Sequence, residues 1–279
     1  MRQSSLRKEE THSGQDRVVQ RMQAQVAGDG APLVLVPGGL TGWLSWEPHA
    51  ERLAQTRKVV RVQLLNVQYG LEDQPLPADY SVKTESRALA ATLEDLGLSG
   101  PIDIVAWSYG GLITLDYALD HAVRLRSLTL IEPPAIWVLR KLGTVDAEAE
   151  QEMAVLRILH GDISEDQLEQ FMQAVGLAPP GQSVRELPQW PLWVRHRQSL
   201  RNSPAVLEHD DDLARLRAVG FPVLLVKGTG SAKFLHQVID GLATQLPKAH
   251  VVEMPGGHAP QLVSMDRFLE ELALFLTRS

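Results

Sequence analysis

The stretch that decides the fold runs from Ile102 to Gly111 and reads Ile-Asp-Ile-Val-Ala-Trp-Ser-Tyr-Gly-Gly. Its first five residues predict a buried strand, and the apolar pattern from Leu112 to Leu119 predicts a helix directly after it. Small residues at 106 and 110 flank Ser108, as a sharp strand-to-helix turn requires, because bulk at either position would clash. A serine in an ordinary glycine-rich turn is the alternative, and the adjoining strand and helix argue against it. The pattern predicts that Ser108 is a nucleophile.

Apolar runs similar to this strand alternate with helical patterns along much of the chain. The runs are typical of buried parallel strands, and the alternation predicts an α/β fold in which helices cover both faces of a mostly parallel sheet. A less regular strand within Val18 to Val26 is expected to pair at the antiparallel end. The other predicted strands are Leu33 to Val36, Val59 to Leu65, Ile102 to Ala106, Leu128 to Ile131, Val223 to Val226 and His250 to Glu253. The predicted helices of the core are Tyr80 to Gly97, Leu112 to Leu119, Phe234 to Leu246 and Arg267 to Leu276.

The segment 133–205 breaks this alternation. It contains helical patterns at 147–159 and 164–175 but no pattern of a buried strand. Connections of this length are uncommon within one sheet, so we predict a helical cap over one end of it. The expected organisation is a disordered tail at 1–16, an α/β-hydrolase-like core formed by 17–132 together with 206–279, and the cap at 133–205.

Composition narrows the range of functions. The 279 residues include no cysteine, which rules out disulfides, a thiol nucleophile and thiolate metal sites. A formal charge of −7 argues against affinity for nucleic acid or an anionic membrane. The polar first 16 residues lack a signal-peptide pattern, and the chain lacks a run of about 18 apolar residues that could span a membrane. We therefore expect a cytoplasmic protein that acts on a small molecule, with the oligomeric state open between monomer and homodimer.

On the residues around Ser108 and the order of its strands, the chain resembles the α/β-hydrolase family from about Val18 to Phe275. In that family, a turn after the strand that precedes the first covering helix supplies a backbone N–H to the oxyanion hole. Here the turn reads Pro37-Gly38-Gly39-Leu40, in which Pro37 replaces the histidine of the usual His-Gly pair. The resemblance implies that Gly39 donates its N–H, with Leu40 as a second candidate, and that Tyr109 is the other donor.

The family's base follows the acid in chain order, near the C-terminus. His258 lies there, after the predicted strand His250 to Glu253 and the loop Met254-Pro255-Gly256-Gly257. The glycines allow this loop to bring the imidazole over Ser108. The resemblance therefore implies that His258 is the base.

The acid departs from the common pattern of the family. Ser231 occupies the position where most relatives carry an aspartate, and no Asp or Glu occurs from Lys227 through Val238. Two explanations remain open. The triad is incomplete, or the acid has moved to Glu132 at the end of the strand Leu128 to Ile131, as in the haloalkane-dehalogenase-like branch. A carboxylate there is expensive to bury unless it is paired, and His258 is a suitable partner.

These residues predict a serine hydrolase that cleaves an ester-like bond through an acyl-enzyme, with no cofactor and no metal. A serine at 108 argues against the relatives that attack halides or epoxides with an aspartate. Acyl transfer, hydrolysis of a carbon–carbon bond, and ligand binding on a catalytically weak hydrolase scaffold remain alternatives.

Two further features bear on ligands. The aromatic residues expected to form an apolar pocket are Trp107, Trp137, Trp190 and Trp193, although the cap tryptophans would also serve simply to pack the cap onto the sheet. The run His209-Asp210-Asp211-Asp212 resembles a metal cluster in composition, but it precedes the helical pattern Leu213 to Val219. Aspartates there are typical of a helix cap.

Overall fold

The computed structural model describes residues 19–178 and 181–278, so the predicted tail at 1–16 lies outside the described residues. Within them, one sheet has the strand order β1-β3-β2-β4-β5-β6-β7. Only β1 runs antiparallel to its neighbour, as expected for the strand at that edge. The strands are β1 (Gln23–Ala27), β2 (Pro32–Val36), β3 (Lys58–Gln63), β4 (Ile102–Trp107), β5 (Leu125–Ile131), β6 (Val223–Gly228) and β7 (Ala249–Met254).

Apolar clusters cover both faces of the sheet. Successive side chains of a strand point to opposite faces, so Leu33 and Leu35 of β2 pack in one cluster with Phe268, whereas Val34 and Val36 pack in the other. Every residue of β4 is buried. The near-continuous apolar runs of the sequence therefore reflect strands that are buried on both faces.

The helices of the core follow the predicted pattern closely where they are long. Helix α3 begins after Ser81, whose hydroxyl accepts a hydrogen bond from the Thr84 N–H in a capping box. The helices outside the β5–β6 connection are α1 (Glu47–Leu53), α2 (Leu65–Leu71), α3 (Val82–Asp95), α4 (Tyr109–Asp120), α11 (Lys233–Gln245), α12 (Pro260–Val263) and α13 (Met265–Arg278).

The predicted strand Val59 to Leu65 was wrong at its end. The strand β3 stops at Gln63, and Leu65 already begins α2. Residues Leu64, Leu65 and Val67 are all buried, so their apolar character did not distinguish the end of a strand from the start of a short helix. This boundary matters because α2 lies beside the candidate site.

The connection between β5 and β6, here called the helical insertion, contains helices and no strand among its described residues, 132–178 and 181–222. Its division into a cap at 133–205 stays a prediction. None of the helices in the described ranges combines the length and apolar character needed to cross a bilayer. The α-helices of the insertion are α5 (Ile136–Leu142), α6 (Ala147–Ile158), α7 (Glu165–Ala174), α8 (Trp190–His196), α9 (Ser203–Glu208) and α10 (Leu213–Arg217).

Asp103, near the start of β4, forms a buried ion cluster at the amino ends of the parallel strands, whereas Ser108 lies at their carboxyl ends. Its carboxylate accepts hydrogen bonds from Arg57, from Arg126 and from the Ser127 hydroxyl at 2.7 Å. Burial alone would raise the pKa of Asp103, but these donors outweigh it and lower the pKa below the usual value. The carboxylate therefore stabilises the fold at neutral pH, and this stabilisation is lost as the pH falls through the range where Asp103 becomes protonated.

We expect Asp103→Asn to lower the free energy of unfolding by about 2 kcal/mol, because two guanidinium groups lose their counter-charge. Urea unfolding at neutral pH measures the change. The difference between wild type and variant should shrink towards acid pH. A variant as stable as the wild type at neutral pH would contradict a stabilising role for this cluster.

Candidate active site

The predicted site residues lie at the carboxyl ends of the parallel strands. Gly39 follows β2, Ser108 follows β4, Glu132 follows β5 and His258 follows β7. Because parallel strands end at the same edge of the sheet, residues far apart in the sequence meet there, which is where open α/β sheets bind ligands.

The turn at Ser108 is strained, as the sequence predicted. Ser108 has φ +54° and ψ −126°, a backbone conformation that residues other than glycine rarely adopt. A Cβ on Gly110 would lie 2.1 Å from the Pro37 carbonyl oxygen, so this position accepts only glycine. The Ser108 N–H donates to the Ile131 carbonyl at 2.9 Å, which ties the turn to the neighbouring strand. Strain held by surrounding structure in this way is typical of functional positions.

Ser108, His258 and Glu132 form one chain of hydrogen bonds. His258 Nε2 lies 2.8 Å from Ser108 Oγ, and His258 Nδ1 lies 2.8 Å from Glu132 Oε2. The side chains of His258 and Glu132 are buried. A hydroxyl next to an imidazole that is oriented by a carboxylate is the arrangement that activates a serine.

Ser231, at the position where an aspartate was expected, contacts the acid instead of replacing it. The Ser231 hydroxyl lies 2.6 and 2.7 Å from the two Glu132 oxygens and donates a hydrogen bond to the carboxylate. The Gly228 N–H donates to Glu132 Oε1 at 2.6 Å. Glu132 itself has φ +44°, a second strained position. A buried carboxylate requires such donors, and the last residue of β6 and the loop after it supply one each.

The backbone of His258 is held from both sides. The Trp107 indole Nε1 donates to the His258 carbonyl at 2.7 Å, and the His258 N–H donates to the Gly176 carbonyl at 3.1 Å. Gly257 lies so close to Gly176 that a Cβ would be 1.7 Å from the Gly176 oxygen. The insertion therefore contacts the loop of the base directly. No local sequence pattern could have indicated Gly176, because its role depends on a contact across more than 80 residues.

The predicted oxyanion donors lie together beside Ser108. Gly39, Leu40 and Tyr109 all line the cavity above the serine. Among the described residues, no hydrogen bond joins these three N–H groups to a protein acceptor. The carbonyl of Gly39 accepts a hydrogen bond at 2.8 Å from the side chain of Asn66, a residue that the sequence did not single out.

The cavity over Ser108 is narrow, about 50 Å³ in volume, and mostly apolar. Apart from His258, its described lining residues include no Asp, Glu, Lys, Arg or His side chain. An uncharged and apolar wall favours an uncharged ligand, because it offers no partner to a buried charge. The apolar lining residues are Leu40, Trp107, Pro134, Leu156, Phe171, Val175, Leu177, Leu200, Val206, Phe234 and Leu235.

Of the four tryptophans expected in the pocket, only Trp107 lines this cavity. Trp137 is fully buried within α5 and packs edge-to-face against His209. Trp190 lies beneath the Arg185 guanidinium, and Trp193 faces a separate depression. Trp137 and Trp190 pack within the insertion, so the prediction was wrong for these two, whereas Trp193 lies outside the catalytic cavity but lines the neighbouring depression. Smaller apolar side chains line most of the cavity.

The aspartate run near 210 is structural. Asp212 caps α10 by accepting from the Ala214 N–H at 2.8 Å. Asp116, His209 and Asp211 do lie close enough together to suggest a metal ligand set. However, Lys83 Nζ lies 2.8 Å from Asp116 and Arg215 Nη1 lies 2.7 Å from Asp211, so both carboxylates already have cationic partners. This charge balance does not favour a divalent cation.

Known proteins with a similar sequence or fold fit this geometry. A protein of Klebsiella pneumoniae named as the carbamate hydrolase RutD is 28% identical, over 86% of this chain and 89% of its own length. The pimeloyl-[acyl-carrier protein] methyl ester esterase of Nitrosomonas europaea is 24% identical, over 88% and 95%.

The solved structure of an esterase from Thermogutta terrifontis shares the fold, with a TM-score of 0.70 and 19% identity over 92% of this chain and 93% of that one. The model of the alpha/beta hydrolase family matches residues 33–271. With its mostly parallel sheet and its strained serine turn, the chain belongs to the α/β-hydrolase family.

Proposed function

We propose that this protein is a serine hydrolase that cleaves the ester-like bond of a small, uncharged and mainly apolar substrate. The observation that supports this most strongly is the pair of 2.8 Å contacts that join Ser108 to His258 and His258 to Glu132. The proposal includes the expectations of a cytoplasmic location and a small-molecule partner.

In the proposed first step, Ser108 Oγ attacks the carbonyl carbon while its proton moves to His258 Nε2. The carbonyl oxygen becomes an oxyanion that accepts from the N–H groups of Gly39 and Tyr109, with Leu40 beside them. Glu132 stabilises the imidazolium. The tetrahedral intermediate collapses when His258 gives the proton to the leaving oxygen, which departs as an alcohol and leaves an acyl-enzyme.

In the second step, water attacks the acyl carbon and gives a proton to His258. The tetrahedral intermediate then releases the acid product, and the proton returns from His258 to Ser108 Oγ. The residues named are sufficient for both steps, so the proposal needs neither a metal nor a cofactor.

A second apolar depression suggests where a longer substrate would extend. It has a volume of about 420 Å³ and shares Leu40, Trp107 and Leu177 with the catalytic cavity. Apolar side chains at its rim are partly exposed, namely Leu44, Leu192, Leu262 and Val263. We expect the cavity to bind a small acyl group of the substrate and the depression to bind an apolar alcohol group.

The two relatives described above, both of which match most of this chain, are named for chemistry at an acyl carbon. By their names, one cleaves a carbamate and another a methyl ester. In both functional groups, a carbonyl carbon carries an oxygen substituent that can leave. We therefore favour an ester-like substrate over the cleavage of a carbon–carbon bond.

The first test replaces the nucleophile. Ser108→Ala should lower kcat for an aryl ester by about 10⁴-fold or more and abolish labelling by a fluorophosphonate probe. Mass spectrometry of the labelled wild type should locate the probe on Ser108. Wild-type protein that neither reacts with the probe nor hydrolyses esters would instead support a ligand-binding role, and an acceptor-dependent product would indicate acyl transfer.

The second test concerns the acid. Glu132→Gln should lower kcat by about 10³- to 10⁴-fold, because the neutral amide no longer stabilises the imidazolium. Ser231→Asp combined with Glu132→Asn should recover much of this loss, since Ser231 already contacts the carboxylate of Glu132 and asparagine tolerates positive φ. The matched control is Glu132→Asn alone, which should stay inactive. Wild-type kcat in Glu132→Gln would rule out Glu132 as the acid.

The third test concerns substrate shape. The kcat/KM of the wild type should rise as the alcohol chain of a short-acyl ester lengthens, because each added methylene buries apolar surface in the depression. Leu192→Gln should reduce this gain without altering hydrolysis of the methyl ester. Equal discrimination among chain lengths in wild type and variant would show that the depression does not bind substrate.

A further inference from the structure

A second buried carboxylate, which the proposed mechanism does not use, lies close to the oxyanion donors. Glu85 is on the first turn of α3 and is fully buried. Its oxygens accept from the backbone N–H groups of Leu65 at 3.0 Å and Asn66 at 2.8 Å, and from the Tyr80 hydroxyl at 2.6 Å. Two branches of hydrogen bonds lead from it towards the cavity.

The first branch runs through Asn66 to the turn after β2. The Asn66 amide donates to the Gly39 carbonyl at 2.8 Å and to the Ser199 carbonyl of the insertion at 2.9 Å. The peptide between Gly39 and Leu40 is trans, so its C=O and N–H point in opposite directions. Holding the Gly39 carbonyl therefore fixes the direction of the Leu40 N–H and limits rotation of the Gly39 backbone.

The second branch runs through Tyr80 to Tyr109. Burial raises the pKa of both phenols, so each remains protonated and has one proton to donate. The Tyr80 hydroxyl donates a hydrogen bond to the Glu85 carboxylate. The Tyr109 hydroxyl, 3.0 Å away, then donates a hydrogen bond to the Tyr80 oxygen. This chain anchors the residue that carries the other oxyanion N–H.

We propose that Glu85 is a positioning residue that aligns both halves of the oxyanion hole, through Asn66 on one side and through Tyr80 and Tyr109 on the other. The inference rests on the proposed function. Glu85 touches neither the substrate nor the reacting atoms, and it acts only through the backbone directions of Gly39, Leu40 and Tyr109.

The negative charge of Glu85 matters to both branches. Leu65 and Asn66 are the first residues of α2, whose N–H groups lack helical partners and favour a negative charge. Burial raises the pKa of Glu85 to about 6, against the lowering effect of its three donors. The titratable groups that face it among the described residues are Tyr80 and Tyr109. At about pH 8 the group is therefore a carboxylate that accepts from all three donors.

The test measures hydrolysis of an aryl ester at about pH 8, where Glu85 is ionised. Glu85→Gln replaces one acceptor oxygen by an amide that must face a donor, so both branches are disturbed. We expect kcat to fall by at least about tenfold with KM within about twofold. A misaligned donor binds the oxyanion of the transition state less strongly but hardly changes binding of the substrate. Affinity for a trifluoromethyl ketone, which forms a tetrahedral adduct with serine, should fall by a similar factor.

Two milder variants test the branches separately. Tyr80→Phe removes the hydroxyl that joins Glu85 to Tyr109 and leaves the Asn66 branch in place. Asn66→Ala removes only the link to Gly39 and Ser199. Each should give part of the loss in kcat and in adduct affinity. Tyr80→Phe is a small change at a half-buried position, so it keeps the inference testable if Glu85→Gln fails to fold.

Asp103→Asn is the matched control, because Asp103 is equally buried but lies at the amino end of its strand, away from the site. It should cost stability while leaving kcat and ketone affinity unchanged. Wild-type kcat and ketone affinity in folded Glu85→Gln or Tyr80→Phe would overturn the inference. So would a loss of stability with unchanged kinetics, as in the control. An inactive wild type would refute the proposed function itself, which separates the two failures.

Discussion

The candidate site depends on how the charge of Glu132 is accommodated. A fully buried carboxylate is costly unless donors surround it. Glu132 receives them from the end of β6, from the loop after it and from the imidazole after β7. Satisfying this one group therefore fixes the relative positions of three strand ends. The 2.8 Å contact between the imidazole and Ser108 follows from that arrangement.

The elbow and the base were predictable because their signals are local. A buried strand, small residues on either side of Ser108 and a following helix are all contained within ten residues, and the glycines before His258 lie next to it. Glu132 was reached by elimination, since the usual position holds Ser231. That a serine there would donate to the relocated acid could not be seen in the sequence, because it depends on a contact between residues 99 positions apart.

The supporting residues were not predictable for a similar reason. Asn66 lies where the sequence indicated the end of a strand, and Glu85 lies within the predicted helix Tyr80 to Gly97, where no local pattern singled it out. Both are buried, Asn66 against the turn after β2 and the insertion, and Glu85 against the start of α2 and Tyr80. The placing of the cap tryptophans in the catalytic cavity failed for a different reason. Aromatic composition reports how much apolar surface is buried, but it does not say which side of a helix faces a cavity.

The contact between Gly176 and Gly257 has a consequence for how such proteins diversify. The insertion lies outside the alternation of strands and helices that builds the sheet, yet one of its carbonyls holds the backbone of His258. Neither glycine leaves room for a side chain. An exchange of the insertion would therefore have to reproduce this backbone junction before a new specificity could be expressed. A segment outside the sheet thus carries one junction on which the position of the imidazole depends.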